Sequence, residues 1–180
     1  MNKVATAIEG LWVLEPKVFG DERGYFFESH NEDTFAKLGL RHRFVQDNES
    51  RSRRGTLRGL HFQQGEHAQA KLVRVVSGEV LDVAVDLRPG SATYGRAVTE
   101  LLTGENKKMM LVPRGFAHGF VVLSAEAVFQ YKCDNFYRPD AEGGVRWDDP
   151  ELAIDWRMGA DEVILSAKDR VLPYLRELAR

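Results

Sequence analysis

The chain has 180 residues, of which 43% are hydrophobic and 29% charged, values that fit one globular domain and exclude general disorder. Its formal net charge of −2 argues against a nucleic-acid binder with a strongly basic surface, and no apolar stretch is long enough to span a bilayer. Cys133 is the only cysteine, which excludes an intrachain disulfide framework and a multi-cysteine zinc site.

The N-terminal stretch "MNKVATAIEGLW" lacks the apolar core of a signal peptide, which predicts a cytoplasmic protein. From there on, short β-branched and aromatic segments alternate with Gly, Pro, Asn and Asp, a pattern typical of a β-sandwich or barrel. The predicted strands are residues 11–18, 24–29, 44–51, 56–63, 70–76, 80–87, 97–102, 109–112, 119–123 and 128–133.

Two helical segments are predicted beside these strands. One covers residues 33–38, with Asn31 as its N-cap and Gly39 as its stop. The other is the tail "LSAKDRVLPYLRELAR", in which Pro173 must begin or break a helix. Without an internal repeat or a linker, residues 1–180 are predicted to form a single all-β domain with a few short peripheral helices.

Alternation along the strands indicates which side chains point inward. In "AVFQYKCD", Tyr131 shares a face with apolar neighbours, and in "AKLVRVV" Lys71 does the same. In "TLRGLHFQ", strict alternation places Arg58 and His61 on opposite faces, but a bulge at Gly59 would bring them to one side. These side chains predict a barrel with a polar interior, of a size that holds one small ligand.

Each of these polar residues alone is more often structural than functional. A purely structural role is harder to assign to Lys71, because a lysine is rarely buried unless it is paired. A structural core also has no reason to collect several such groups. A histidine as general base, a tyrosine as proton donor and a lysine near a developing oxyanion suit proton abstraction beside a ketone. The product is an epimer if base and acid stand on opposite faces of the substrate.

A metal site is the rival interpretation. The segment "GLHFQQGEHAQAK" offers His61 and His67 with Glu66, and His118 is a further candidate from a later strand. The H-x-H pair is missing, because Gln63 stands where the second histidine would be. The metal signal is therefore weak, and no metal is predicted.

The basic cluster "RSRRGTLR" is mostly a solvated turn, although arginine forks also suit phosphate oxygens. Arg23 is a candidate to join Arg58 at such a phosphate. Aromatic residues near this site, Phe26, Phe27 or Tyr137, have the shape to stack on a nucleotide base and fit core packing equally well.

Five segments together resemble one known family, the dTDP-4-dehydrorhamnose 3,5-epimerases. They are "GDERGYFFES", "FVQDNESRSRRGTLRGLHFQ", "KLVRVVSGEVLDVAVDLRPGSATYG", "LVPRGFAHGFVVLS" and "YKCDNFYRPDAEGGVRWDDPELAIDW". The resemblance runs in order from about Gly10 to Asp169.

The resemblance implies a cupin-like jelly-roll β-barrel that needs no metal or other cofactor. It implies a homodimer in which an N-terminal strand joins the neighbour's sheet. The implied reaction converts dTDP-4-dehydro-6-deoxy-D-glucose to dTDP-4-dehydro-L-rhamnose, for dTDP-L-rhamnose biosynthesis.

The resemblance also assigns roles to residues. His61 matches the general base, Tyr131 the proton donor, Asp169 the carboxylate paired with the base, and Lys71 the cation beside the C4 oxygen. The implied substrate-binding positions, to which Tyr137 is added as a stacking candidate, are Arg23, Phe26, Glu28, Gln46, Asn48, Arg58, His118, Glu142 and Lys168.

Three alternatives remain open on the sequence. The nearest is a single-centre (C3 or C5) dTDP-4-keto-6-deoxyhexose epimerase of secondary metabolism, which can keep the same catalytic residues. A metal-dependent cupin oxygenase or isomerase is disfavoured by the missing H-x-H pair. A non-catalytic sugar-nucleotide-binding module is disfavoured by the intact acid–base set.

Overall fold

The computed structural model describes residues 1–178. Within them the strands are β1 (Asn2–Ala5), β2 (Trp12–Glu15), β3 (Phe19–Asp21), β4 (Gly24–Phe26), β5 (Gln46–Arg53), β6 (Leu57–Gln63), β7 (Lys71–Ser77), β8 (Glu79–Asp86), β9 (Ala97–Thr103), β10 (Met109–Val112), β11 (Phe116–Val122), β12 (Glu126–Cys133) and β13 (Glu142–Gly144). One α-helix, α1, covers Glu32–Lys37, and 3₁₀ turns lie at Gly65–His67, Pro139–Ala141, Asp169–Val171 and Leu175–Glu177. Among residues 1–178, no helix has the length and apolar character of a membrane span.

The strands pair into two main antiparallel sheets. One has the order β1-β2-β10-β7-β12-β5, and the other has the order β13-β6-β11-β8-β9. Apolar side chains from the facing surfaces, such as Val73 and Phe129 from one sheet and Val80 and Phe120 from the other, form the core between them. The eight strands β5 to β12 divide into β10-β7-β12-β5 in one sheet and β6-β11-β8-β9 in the other, which is the strand order of a jelly roll. The all-β, cupin-like fold class is therefore confirmed.

All ten predicted strands are present, nine of them with shifted ends, while β10 (Met109–Val112) has its predicted ends. The first ends at Glu15, because Pro16 has no N–H for the ladder. The prediction missed β1 and β13, which are edge strands, and β3, which belongs to an isolated two-stranded hairpin. Short strands that pair on one side need no alternating apolar pattern, so the sequence carries little signal for them.

The early helix is confirmed, starting one residue before its predicted position. The side chain of Asn31 caps it by accepting the Thr34 N–H at 3.0 Å, and Gly39 follows with φ +77°. The helical prediction for the tail is wrong where the structure describes it. Two 3₁₀ turns stand there, separated by residues 172–174, and Leu172 is extended because Pro173 follows it. Residues 179–180 of that predicted helix lie outside the described residues.

The bulge expected at Gly59 is confirmed. His118 pairs with His61 and Phe120 with Arg58, so β6 uses one more residue than β11 over this step. As a result, both Arg58 and His61 line the same cavity. Gly59 has φ +123°, and an added Cβ would lie 2.7 Å from the Gly119 Cα and 2.8 Å from the His118 carbonyl oxygen.

We expect Gly59→Ala to lower the free energy of unfolding by about 3 kcal/mol or more, because backbone strain and a backbone collision act together. Gly90→Ala is the matched control, since Gly90 also has a positive φ (+75°) but open space around it. It should cost only about 1–2 kcal/mol. Urea unfolding of both variants measures the difference, and equal losses would contradict the role given to the bulge.

Candidate active site

A cavity of about 660 Å³ opens between the two sheets, and a second of about 280 Å³ adjoins it. The two share Asn48, His61, Lys71 and Tyr131 as lining residues, so they form one cleft with two lobes. The cleft is large enough for a sugar and part of its nucleotide.

The polar residues of the cleft come from both sheets. Arg58, His61 and His118 project from β6 and β11 of the five-stranded sheet. Lys71 and Tyr131 project from β7 and β12 of the six-stranded sheet. A ligand between the sheets therefore has the two histidines on one side and the lysine and tyrosine on the other.

His61 is held by a buried carboxylate. Its Nε2 lies 2.6 Å from Oδ1 of Asp169, whose side chain is only 4% exposed. Burial by itself would raise the pKa of Asp169, but the hydrogen bonds from His61, Ser166 and the Gly59 backbone outweigh it and leave that pKa below its usual value. Because an ionised carboxylate only accepts, Nε2 donates and Nδ1 is left with its lone pair free.

Lys71 lies at the start of β7, half-buried in the wall of the cleft. Burial lowers its pKa, while the negative charges of Asp82 and Glu142 act in the opposite direction. It forms no salt bridge among residues 1–178, and its Nζ lies 6.0 Å from the centroid of the Tyr131 ring. The ammonium is therefore available to an oxygen of a bound ligand.

Tyr131 packs against the core and also lines both lobes of the cleft. Burial and the neighbouring Cys133 raise the pKa of Tyr131, against a smaller opposing effect of Arg58. Burial likewise raises the pKa of the Cys133 thiol to about 11. Both groups therefore carry their protons near neutral pH, and the tyrosine can act as a donor.

A polar network closes the smaller lobe. Lys168 pairs with Glu142, whose other oxygen accepts the Tyr137 hydroxyl at 2.9 Å. Burial would raise the pKa of Glu142, but Lys168 and Tyr137 lower it below its usual value. Gln46 accepts the Tyr137 N–H at 3.1 Å and donates to Asn48 at 3.0 Å, which ties this network to the shared wall.

Three predicted binding residues are not brought to the cleft within one chain. Arg23 pairs with Asp21 and Phe26 is 66% exposed, both on the β3–β4 hairpin. Glu28 accepts a hydrogen bond from Asn31 at 2.9 Å, just before α1. Arg23 and Phe26 line a separate groove within the hairpin.

The structure adds one buried group that the sequence reasoning missed, Asp82. Its Oδ1 lies 2.9 Å from Nε2 of His118, so both cleft histidines are held by carboxylates. The available signal was a charged residue at an inward position of the apolar strand "EVLDVAVD".

His67 and Glu66, from the rival metal interpretation, do not line the cleft, and residues 1–178 contain no group of three or more His, Cys, Asp or Glu arranged around a metal position.

Comparisons with known proteins agree with this architecture. The model of the family dTDP-4-dehydrorhamnose 3,5-epimerase matches residues 5–177. The chain belongs to this family. It is 52% identical to the dTDP-4-dehydrorhamnose 3,5-epimerase of Escherichia coli K12, over all of this chain and 97% of that protein.

Solved structures of dTDP-4-dehydrorhamnose 3,5-epimerases have the same fold. The enzyme from Elizabethkingia anophelis NUHP1 superposes with a TM-score of 0.94 at 53% identity, covering 98% of this chain and 97% of that one. The dTDP-6-deoxy-D-glucose-3,5-epimerase from Legionella pneumophila Philadelphia 1, solved with dTDP-4-keto-L-rhamnose, gives 0.95 at 50% identity, covering 99% and 94%. The predicted family and the predicted enzyme class, an isomerase, are therefore confirmed, and a 3,5-epimerase is favoured over a single-centre enzyme.

Proposed function

We propose that this cleft inverts C3 and C5 of dTDP-4-dehydro-6-deoxy-D-glucose to give dTDP-4-dehydro-L-rhamnose, with His61 as base and Tyr131 as acid. The observation that carries the assignment is their placement on opposite sheets, with the cleft between them. A base and an acid on opposite sides of a sugar ring remove a proton from one face and return it to the other. That exchange inverts the carbon.

The C4 ketone makes one site sufficient for two carbons, because it acidifies the hydrogens at both C3 and C5. Nδ1 of His61 takes the proton, since Nε2 is engaged by Asp169. The negative charge of Asp169 stabilises the imidazolium that forms. The proton on Nδ1 later exchanges with solvent.

Lys71 stabilises the enolate in this proposal. Its ammonium has no salt-bridge partner among residues 1–178, so it is free to meet the C4 oxygen as charge develops there. Tyr131, whose pKa is raised by burial, then donates its proton to the carbon. Each inversion thus uses one base, one cation and one acid. Before the next inversion, the His61 imidazolium releases its proton to solvent and the Tyr131 phenolate takes one up from solvent.

The remaining cleft residues bind the rest of the substrate. Arg58 donates from Nε and Nη2 to Ser52 at 3.2 Å, which presents its guanidinium to the larger lobe. We assign the diphosphate to Arg58 and Lys168, because both are cations on the lining of this lobe. Binding contacts with the sugar and nucleotide are assigned to Gln46, Asn48, His118, Tyr137 and Glu142.

We further propose a homodimer in which the β3–β4 hairpin crosses to the neighbouring chain. Within residues 1–178 the hairpin pairs with no other strand, and it exposes Phe19, Tyr25 and Phe26, a costly apolar surface for a free monomer. β1 pairs with β2 of its own chain, so the hairpin is the N-terminal segment available for exchange. The open edge of β5, which carries Gln46 and Asn48, is the sheet edge it would extend.

This crossing would bring Arg23, Phe26 and Glu28 to the nucleotide end of the partner's cleft.

We place the enzyme in the cytoplasm, where a free buried thiol such as Cys133 stays reduced.

Proton NMR of dTDP-4-dehydro-6-deoxy-D-glucose in D₂O tests the function. We expect the enzyme to exchange the hydrogens at C3 and C5 and to form the L-rhamno product. His61→Asn should slow both exchanges about 10²–10⁴-fold, because the base is lost, while leaving dTDP binding within a few-fold of the unsubstituted enzyme. His67→Asn, outside the cleft, is the matched control and should retain full activity. Normal exchange at C5 in His61→Asn would refute the base assignment.

Tyr131→Phe should separate proton removal from product formation. His61 still abstracts, so exchange with D₂O continues, whereas inversion falls by a larger factor because the acid on the opposite wall is missing. The ratio of exchange to inverted product, measured in one NMR time course, is the readout. Tyr94→Phe, a tyrosine packed on the other face of the five-stranded sheet, is the control. An unchanged ratio would remove Tyr131 from the donor role.

Mixed dimers test the crossing of the hairpin. Arg23→Ala and His61→Asn chains, each inactive alone, are co-expressed with different affinity tags. If the hairpin completes the partner's cleft, half of the dimers are hybrids with one intact site, and about a quarter of the unsubstituted activity returns. Isolated hybrids without activity would show that each cleft is completed by its own chain.

A further inference from the structure

Asp82 lies in the middle of β8 and is fully buried, with 0% of its surface exposed. Alternation places it on the face of Val80 and Ala84, which belong to the apolar core between the sheets. An ionised carboxylate in such surroundings is costly unless it is paired. Packing does not explain it, because apolar replacements of buried ion pairs are often neutral or stabilising.

The carboxylate has a single partner, and that partner lines the cleft. Oδ1 of Asp82 lies 2.9 Å from Nε2 of His118, while Oδ2 is buried without a hydrogen-bond partner among residues 1–178. The side chain of His118 is 7% exposed and belongs to the lining of the larger lobe. Since a carboxylate accepts, Nε2 of His118 donates, and Nδ1 is the nitrogen left for a ligand.

This arrangement repeats that of His61 and Asp169. His61 and His118 are paired residues of β6 and β11, so two histidine–aspartate pairs lie side by side in one wall. The charge of Asp82 also reaches Lys71 on the facing sheet, where it counteracts the effect of burial on the pKa of that lysine. The charged and titratable groups in the walls of the cleft around Lys71 come from every neighbouring element. They are Glu49 on β5, Arg58 and His61 on β6, Asp82 on β8, His118 on β11, Tyr131 and Cys133 on β12, Tyr137 before β13, Glu142 on β13, and Lys168 and Asp169 in the tail.

We propose that Asp82 is a positioning residue of the epimerisation, which fixes the tautomer and ring orientation of His118 so that Nδ1 faces the bound keto sugar. Its buried charge also favours the ammonium form of Lys71. The inference rests on the proposed function, because it acts through two groups assigned there to the substrate. Asp82 is thus retained for its role in ordering the cleft and not for a contribution to the stability of the fold.

Asp82→Asn and Asp86→Asn form the test pair. Asp86 is equally buried on the same strand, but Arg88, Ser91 and Thr93 satisfy it and it does not line the cleft. For Asp82→Asn we expect kcat to fall about 10–100-fold with KM changed less than about threefold. The alkaline limb of the kcat–pH profile should move to lower pH, and the melting temperature should not fall. For Asp86→Asn we expect a lower melting temperature with kcat and the pH profile unchanged.

Unchanged kcat and pH profile in Asp82→Asn would overturn the inference, as would a lower melting temperature with unchanged kcat. A double-mutant cycle with His118→Asn adds an independent readout. If Asp82 acts through His118, Asp82→Asn should cost less than about threefold in that background, whereas full additivity would overturn the coupling. Exchange at C3 and C5 by the unsubstituted enzyme is measured first. If the unsubstituted enzyme shows no exchange, the proposed function is refuted. If it exchanges normally and Asp82→Asn leaves kcat and the pH profile unchanged, only this inference is refuted.

Discussion

The hydrogen bond between His61 and Asp169, 2.6 Å long, is the contact on which the cleft depends. Removing a carboxylate from water between apolar sheets costs on the order of several kcal/mol, and the histidine offsets that cost. The same contact decides the chemistry, because it leaves Nδ1 of His61 with a free lone pair. The tail folds accordingly, since the 3₁₀ turn that begins at Asp169 carries this side chain inward, where the sequence predicted a helix begun or broken at Pro173.

The sandwich architecture supplies the second requirement, two separated walls. Facing sheets lie about 10 Å apart, a gap that apolar side chains fill in the core and a sugar ring can occupy in the cleft. His61 and Tyr131 belong to different sheets, so their separation is a property of the fold and not of one flexible loop. The bulge at Gly59 is the local adjustment that turns Arg58 into the same cleft.

The nucleotide end of the cleft is built differently from the sugar end. Its amides, Gln46 and Asn48, lie on the edge strand β5, and Tyr137 and Lys168 lie on turns, where side chains are more exposed. The exposed aromatic side chains of the β3–β4 hairpin fit a surface that a second chain covers. In the proposed dimer, catalysis is contained in one chain's core while recognition of the nucleotide is shared, which links assembly to substrate binding.

The sequence alone determined the all-β class and the inward faces of Lys71 and Tyr131, because strand alternation is a local property. It marked Gly59 as a possible bulge, and the strand register decided that the bulge is there. It also showed the resemblance to the dTDP-4-dehydrorhamnose 3,5-epimerases, through long segments that follow one another in the family's order. It did not show β1 and β13, since edge strands pair on one side only, or the true form of the tail. The tertiary structure alone decided that Asp82 reaches His118 and that Arg23 and Phe26 stay away from their own chain's cleft. Such contacts depend on the register of strands far apart in the chain, and residue type and spacing do not encode that register.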